Sequence, residues 1–225
     1  MGRFLFLLIF GLAGLTVLLA LGIWQVQRLA WKEALLAEID SRIAADPVTL
    51  PAQPDPERDI YLPVTAHGQF GSEEIHVLVS VKQVGPGYRI IAPFETEGRT
   101  ILVDRGFVAI NDKESQRVSG PMAITGNLHW PQEIDSYTPD PDEKAEIWFA
   151  RDVPAMAARL GTEPVLLIAR SSTGANITAL PISSAGIPND HLQYAVTWFG
   201  LAAVWLAMTV YFIWRTRARP ESEKA

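Results

Sequence analysis

DHLQYAVTWFGLAAVWLAMTVYFIWRTRAR, residues 190–219, holds an apolar run bounded by charge at both ends. Nothing from Tyr194 to Trp214 is charged, and at ~1.5 Å rise per residue such a helix crosses about 30 Å of hydrocarbon. Aromatic rings gather near its ends: Tyr194, Trp198 and Phe199 at one, Tyr211, Phe212 and Trp214 at the other. Such rings prefer the headgroup boundary. Arg215, Arg217 and Arg219 follow the run while Asp190 precedes it, and this excess of positive charge assigns the C-terminus to the cytoplasmic side.

A second run, FLFLLIFGLAGLTVLLALGIWQV at 4–26, is equally free of charge. Ala20-Leu21-Gly22 would pass for a signal-peptidase site, but the run is longer than a usual signal core, so an uncleaved anchor is expected. Arg3 competes with Arg28 and Lys32 for its orientation, and the other span decides it. With two spans, residues 1–3 and the tail 215–225 are cytoplasmic and residues 27–190 extracytoplasmic. No Arg-rich transit segment precedes the first span, so the expected setting is a bacterial inner membrane with a periplasmic domain.

Segment 28–190 holds 14 Lys/Arg against 23 Asp/Glu, a net charge of −9. Such a domain repels phosphate backbones, which argues against nucleic-acid binding, and it lacks the basic clusters that hold a domain on anionic lipid. The chain has no cysteine, which excludes disulfides, thiolate metal sites, c-type haem attachment and thiol redox chemistry. Met1, Met122, Met156 and Met208 are scattered, a poor basis for a thioether copper relay.

The first helix is expected to continue beyond the membrane over 27–46, since Leu29, Leu36, Ile39 and Ile43 recur at helical spacing. Pro47 ends the pattern, and a Pro-rich linker with Pro51, Pro54 and Pro56 fills 47–59. Strands are expected at 64–70, 74–82, 87–94, 100–108, 121–129, 145–150 and 164–170, the second and third joined by a turn at Gly85-Pro86-Gly87. In 100–108, Ile101, Val103, Arg105 and Phe107 share one face by alternation. A short helix is expected between the last two strands, with Asp152 as N-cap, Pro154 in its first turn and Gly161 past its end. The expected fold is therefore two transmembrane helices, 4–26 and 194–214, flanking one β-rich (α+β) domain. That domain is a curled antiparallel sheet or small barrel with one short inserted helix.

Motifs for catalysis are absent: there is no phosphate loop, nucleophile elbow or His-Glu-x-x-His pattern. The pairs Glu73-Glu74 and Asp142-Glu143 read as solvated loop charges. His67 and His76, on candidate neighbouring strands, lack a third metal ligand, and His129 beside Trp130-Pro131 reads as structural or exposed. His191 stands at the extracytoplasmic mouth of the second span. A neutral imidazole there suits an axial ligand to an iron porphyrin, with Gln193, Tyr194, Thr197 and Trp198 as polar and aromatic surroundings. The plainer reading is an interfacial histidine bonded to headgroups or a loop.

Four blocks carry a resemblance: LGIWQVQRLAWKEALL at 21–36, GYRIIAPF at 87–94 followed by ILVDRGFV at 101–108, IWFARDVPAMAARLG at 147–161, and PNDHLQYAVTWFGLA at 188–202. In order and spacing the chain resembles the surfeit locus protein 1 family of oxidase-assembly factors. One departure is Asp104-Arg105-Gly106-Phe107, where the family usually reads Asn-Arg-Gly-Trp. The resemblance implies a non-enzymatic role in building the haem a-containing catalytic subunit of a haem-copper cytochrome oxidase, with haem a synthase as a further partner. It implies haem a as cargo, His191 as the iron ligand, and Tyr194 and Trp198 as pocket walls. Arg105 and Arg28 are candidates for meeting the haem propionates, because arginine pairs with carboxylates bidentately. Arg28 equally fits a snorkelling role. The rival expectation is a haem-free chaperone gripping a partly built oxidase subunit through Trp24, Tyr194 and Trp198. A membrane-anchored enzyme or sensor would need a converging polar constellation, which the sequence does not show.

Overall fold

The computed structural model describes residues 2–117, 120–142 and 144–217, except the side chains of Arg3 and Arg217. Arg219, the rest of the tail 218–225, and Glu143 lie outside the described residues. The elements run α1 (Gly2–Ala44), β1 (Val48–Thr49), β2 (Pro63–Phe70), β3 (Ile75–Val81), β4 (Gly85–Thr96), β5 (Arg99–Ala109), β6 (Met122–Leu128), β7 (Ile147–Trp148), α2 (Val153–Leu160), β8 (Leu166–Ala169) and α3 (His191–Arg217). They form two compact units, 1–38 with 185–225, and 39–184.

The helical unit pairs α3 with the first 38 residues of the chain. Phe6, Ile9 and Val17 on α1, and Val196, Val204 and Val210 on α3, are each more than half exposed. A surface this apolar is stable against lipid tails, not water, and the stretches Phe4–Ala44 and Ser184–Thr216 are long and apolar enough to cross a membrane. Small residues let the helices approach, as in other lipid-embedded pairs. A Cβ on Gly22 would sit 2.6 Å from the Phe199 ring, and one on Gly14 2.5 Å from the Trp205 ring. Ala195 and Ala202 are buried, and Trp205 donates its indole N–H to Gly11 O at 2.9 Å.

The second unit is a closed five-stranded barrel, β2-β6-β8-β5-β4 and back to β2, with α2 on its wall. Val64, Phe70, Phe94, Ile101, Val103, Leu128 and Leu167 fill one core. Alternate residues of the same strands, including Ile91, Leu102, Leu166 and Ile168, pack against Val153, Met156 and Ala157 of α2. The caps expected of α2 are present: Asp152 accepts from Ala155 N at 3.1 Å, and Gly161 takes the left-handed conformation at φ 64°. The end of α1 within this unit is anchored too. Asn127, 1 % exposed, donates to Ile43 O at 3.1 Å and Tyr61 O at 2.8 Å, while Arg170 also donates to Ile43 O. A cation and an amide thus satisfy a carbonyl that the helix terminus leaves open.

Several expectations change. The sheet is mixed: β8 runs parallel to β5, β1 to β2 and β7 to β3. The linker at 47–59 contributes β1, and β7 is only two residues long. The β3–β4 turn is Lys82-Gln83-Val84, with Gln83 at φ 68°, so Gly85-Pro86-Gly87 opens β4 instead of forming the turn. Val81 pairs with Gly85 because Gly85 takes φ 104° at the strand start. Finally, Ile90 pairs with Gly106 and Ile91 with Asp104, leaving Arg105 as the extra residue of a β-bulge. The alternation breaks there: Phe107 lies outside the core of Ile101 and Val103, with its ring against Gly87.

Candidate functional site

His191 opens α3 and is half-buried. Its Nδ1 lies 2.8 Å from Oε1 of Gln25 on α1, a residue 8 % exposed. Gln25 reaches this position because Gly22, one turn earlier, admits the Phe199 ring and brings the helices close. On α3, Trp198 is half-buried and Tyr194 is 54 % exposed; Trp24 of α1 is 52 % exposed. Arg28, one turn beyond Gln25, stacks its guanidinium 3.8 Å above the Trp31 ring and is exposed. The arrangement offers one imidazole with a fixed ring, one face of aromatic surface and one nearby cation. A single imidazole nitrogen is chemically suited to be an axial ligand to a porphyrin iron.

Gln25 belongs to the block at 21–36 that carries the family resemblance, where the sequence alone assigns it no site role. Its signal was available: a polar side chain inside an uncharged spanning segment is a site candidate by default. Its partner, 166 residues away, was not readable from spacing.

Arg105 belongs to the barrel unit and finds its partners there. It is 2 % exposed, donates from Nε and Nη2 to Thr173 Oγ1 and O at 3.1 Å each, and stacks 3.9 Å above Phe70. Burial pulls its pKa down to about 10, so it is still charged at neutral pH. It lines a cavity of about 470 Å³ together with His76, Glu74 and Arg117, where Glu74 Oε1 meets His76 Nε2 at 2.8 Å and Arg117 Nη1 at 2.9 Å. His67 and His76 do not meet, since β2 and β3 each pair with β4 and not with each other. Among the described residues no group of three His, Asp or Glu is placed to hold a metal ion.

A second ionised cluster sits around Asp104. Its Oδ2 accepts from Arg89 Nη1 at 2.5 Å and faces Arg151 Nη1 at 3.4 Å, and Arg151 in turn grips Glu133 through Nε and Nη2. Burial works against ionising Glu133, but the hydrogen bonds and charge of Arg151 outweigh it and hold the carboxyl below its usual range. His129, stacked on Tyr61, is driven the other way: burial first, then the charge of Arg151, push it down to about 4. Its Nδ1 is buried without a hydrogen-bond partner. An unfolded histidine titrates near 6.5, so the unfolded chain binds this proton before the folded one does. The stability His129 contributes as a neutral ring is present above about pH 6.5 and lost as pH falls toward 4. Between pH 7 and 4.5 the full-length chain is expected to lose about 2 kcal/mol more than a His129→Phe variant, read as the difference in denaturant midpoints. Parallel pH profiles of the two proteins would refute it.

The SURF1 family model matches residues 12–203. Surfeit locus protein 1 of Rattus norvegicus is 32% identical over 207 residues, covering 81% of this chain and 68% of the relative. The human protein of that name is 32% identical over 210 residues, 81% of this chain and 69% of its own length. A SURF1-like protein of Rickettsia felis is 30% identical over 220 residues, 89% of this chain and 92% of the relative.

Proposed function

The chain belongs to the SURF1 family, and from that premise we propose that it is a membrane assembly factor for a haem-copper cytochrome oxidase, holding haem a through His191 and passing it to the catalytic subunit. The observation that carries this reading is His191 itself: an imidazole at the head of a lipid-facing helix, half-buried, with one ring nitrogen already engaged. Haem a has a long apolar tail and two propionates, so a carrier at the membrane surface buries the tail in lipid and holds the ring by its iron. Tyr194 and Trp198 wall the ring, and Arg28, exposed one turn from Gln25, is available to a propionate. In this reading Arg215 and the basic tail lie in the cytoplasm, the barrel domain belongs to the periplasmic side, and haem a synthase is the expected source of the cargo.

The test is an absorption spectrum of the full-length chain purified in detergent from a host that makes haem a, beside His191→Ala. The wild type is expected to carry a Soret band and the variant to lose it, by tenfold or more in haem per protein. A colourless wild type that still co-purifies the oxidase subunit would favour a second reading, a haem-free scaffold. That reading draws on the half-exposed rings of Trp24, Trp31 and Tyr194, which suit a protein interface.

A further inference from the structure

We infer that Gln25 is a positioning residue: it holds His191 in the Nδ1–H tautomer, so that Nε2 alone faces the iron and the strength of the haem bond is set from the first span. The inference rests on the haem reading above and adds to it the atom that ligates and the residue that selects it. The distance is 2.8 Å between His191 Nδ1 and Gln25 Oε1. An amide oxygen has lone pairs and no proton, so this bond forms only when Nδ1 carries the hydrogen. Once it does, a neutral ring has its single remaining lone pair on Nε2. Gln25 is 8 % exposed, which keeps water from competing for the amide, and Gly22 beneath it has no side chain to hold the helices apart.

Two consequences follow for a carrier. An acceptor on the far nitrogen orients the ring and raises its basicity toward the metal, and loss of such a partner typically costs about 10–100-fold in affinity. A neutral amide raises basicity less than a carboxylate would, because it places no negative charge against the ring. That suits cargo that must be given up. The contact also ties the ligand on α3 to the packing of α1, so a change in the helix pair is felt at the iron.

The experiment needs two readings on the same full-length protein in detergent. The first, without haem, is a long-range proton–nitrogen correlation spectrum of histidine-labelled protein at a pH above the ordinary imidazole range, which distinguishes the tautomers by their nitrogen shifts. Wild type is expected as Nδ1–H, and Gln25→Leu as a mixture favouring Nε2–H. The second is titration with ferric haem, with His191→Ala as the baseline. Gln25→Leu is expected to bind about 10–100-fold more weakly than wild type. Gln25→Glu, which keeps an acceptor, is expected to retain the tautomer, bind within a few-fold of wild type, and lower the reduction potential of the bound haem. If wild type binds haem through His191 but Gln25→Leu matches it in tautomer and affinity, this inference is overturned while the haem reading stands. A Gln25→Glu variant as weak as Gln25→Leu would also overturn it. If wild type takes up no haem, both fall together.

Discussion

Asp104→Ala is expected to destabilise the full-length chain by about 3–5 kcal/mol, the cost of removing one partner from a buried ionic group. The carboxylate is inaccessible to solvent. It holds Arg89 at 2.5 Å and Arg151 at 3.4 Å, and its other oxygen accepts the Gly106 N–H at 3.1 Å. Truncation leaves Arg89 and Arg151, with side chains only 17% and 12% exposed, without the anion between them. Glu133 answers Arg151 alone. It also strips an acceptor from the backbone of the bulge. A loss of this size lowers the melting temperature by roughly 10 °C for a chain of this length. Asp104→Asn, which preserves an acceptor for Gly106, should fall between. A shift of less than a few degrees for the alanine variant would mean that the two guanidinium groups do not depend on this carboxylate.

Gly68→Ala is expected to cost about 3 kcal/mol, the upper range for inserting an atom into a packed position. Strands β2 and β4 meet over only three pairs, Gly68 with Thr96, Gln69 with Glu95 and Phe70 with Phe94, and those pairs close the barrel. A Cβ on Gly68 would collide with the backbone carbonyl oxygen of Glu95, which has no rotamer to yield. Relief requires the two strands to part, and the hydrogen bond from Thr96 Oγ1 to His67 O, 2.9 Å long, would part with them. The readout is amide exchange: protection should fall in β2 and the end of β4 before it falls in β5. Gly120→Ala is the control, since a Cβ there meets nothing within 4 Å. Equal protection in the two variants would remove the steric account of closure.

What the sequence disclosed, and what it did not, divides by the range of the interaction responsible. The two long apolar helices, the strand at 64–70 and the caps of α2 are local: each is written in residues within one or two turns, and each agrees with the structure. Phe107 departs from the local alternation because a bulge is a mismatch between two strands, visible only when Ile90 and Ile91 are set against Gly106 and Asp104. Leu166–Ala169 is buried throughout, so its pattern says nothing of direction, and its parallel pairing with β5 was out of reach. The helix pair is similar. His191 could be noticed for its address, whereas Gln25 matters because of what stands opposite it.

Barrel closure also bears on how other proteins meet this domain. A wall that returns on itself leaves no open edge among its own five strands; β1 covers two residues of β2, while β3, paired to β4 outside that ring, is covered by β7 at His76 and Val77. An incoming chain therefore cannot extend the five-stranded ring as a further strand, the route by which open sheets recruit peptides and by which they aggregate, and the edge left for such pairing is the short one at 78–81 of β3. Recognition elsewhere on the ring has to pass through the side chains that stand on its outside.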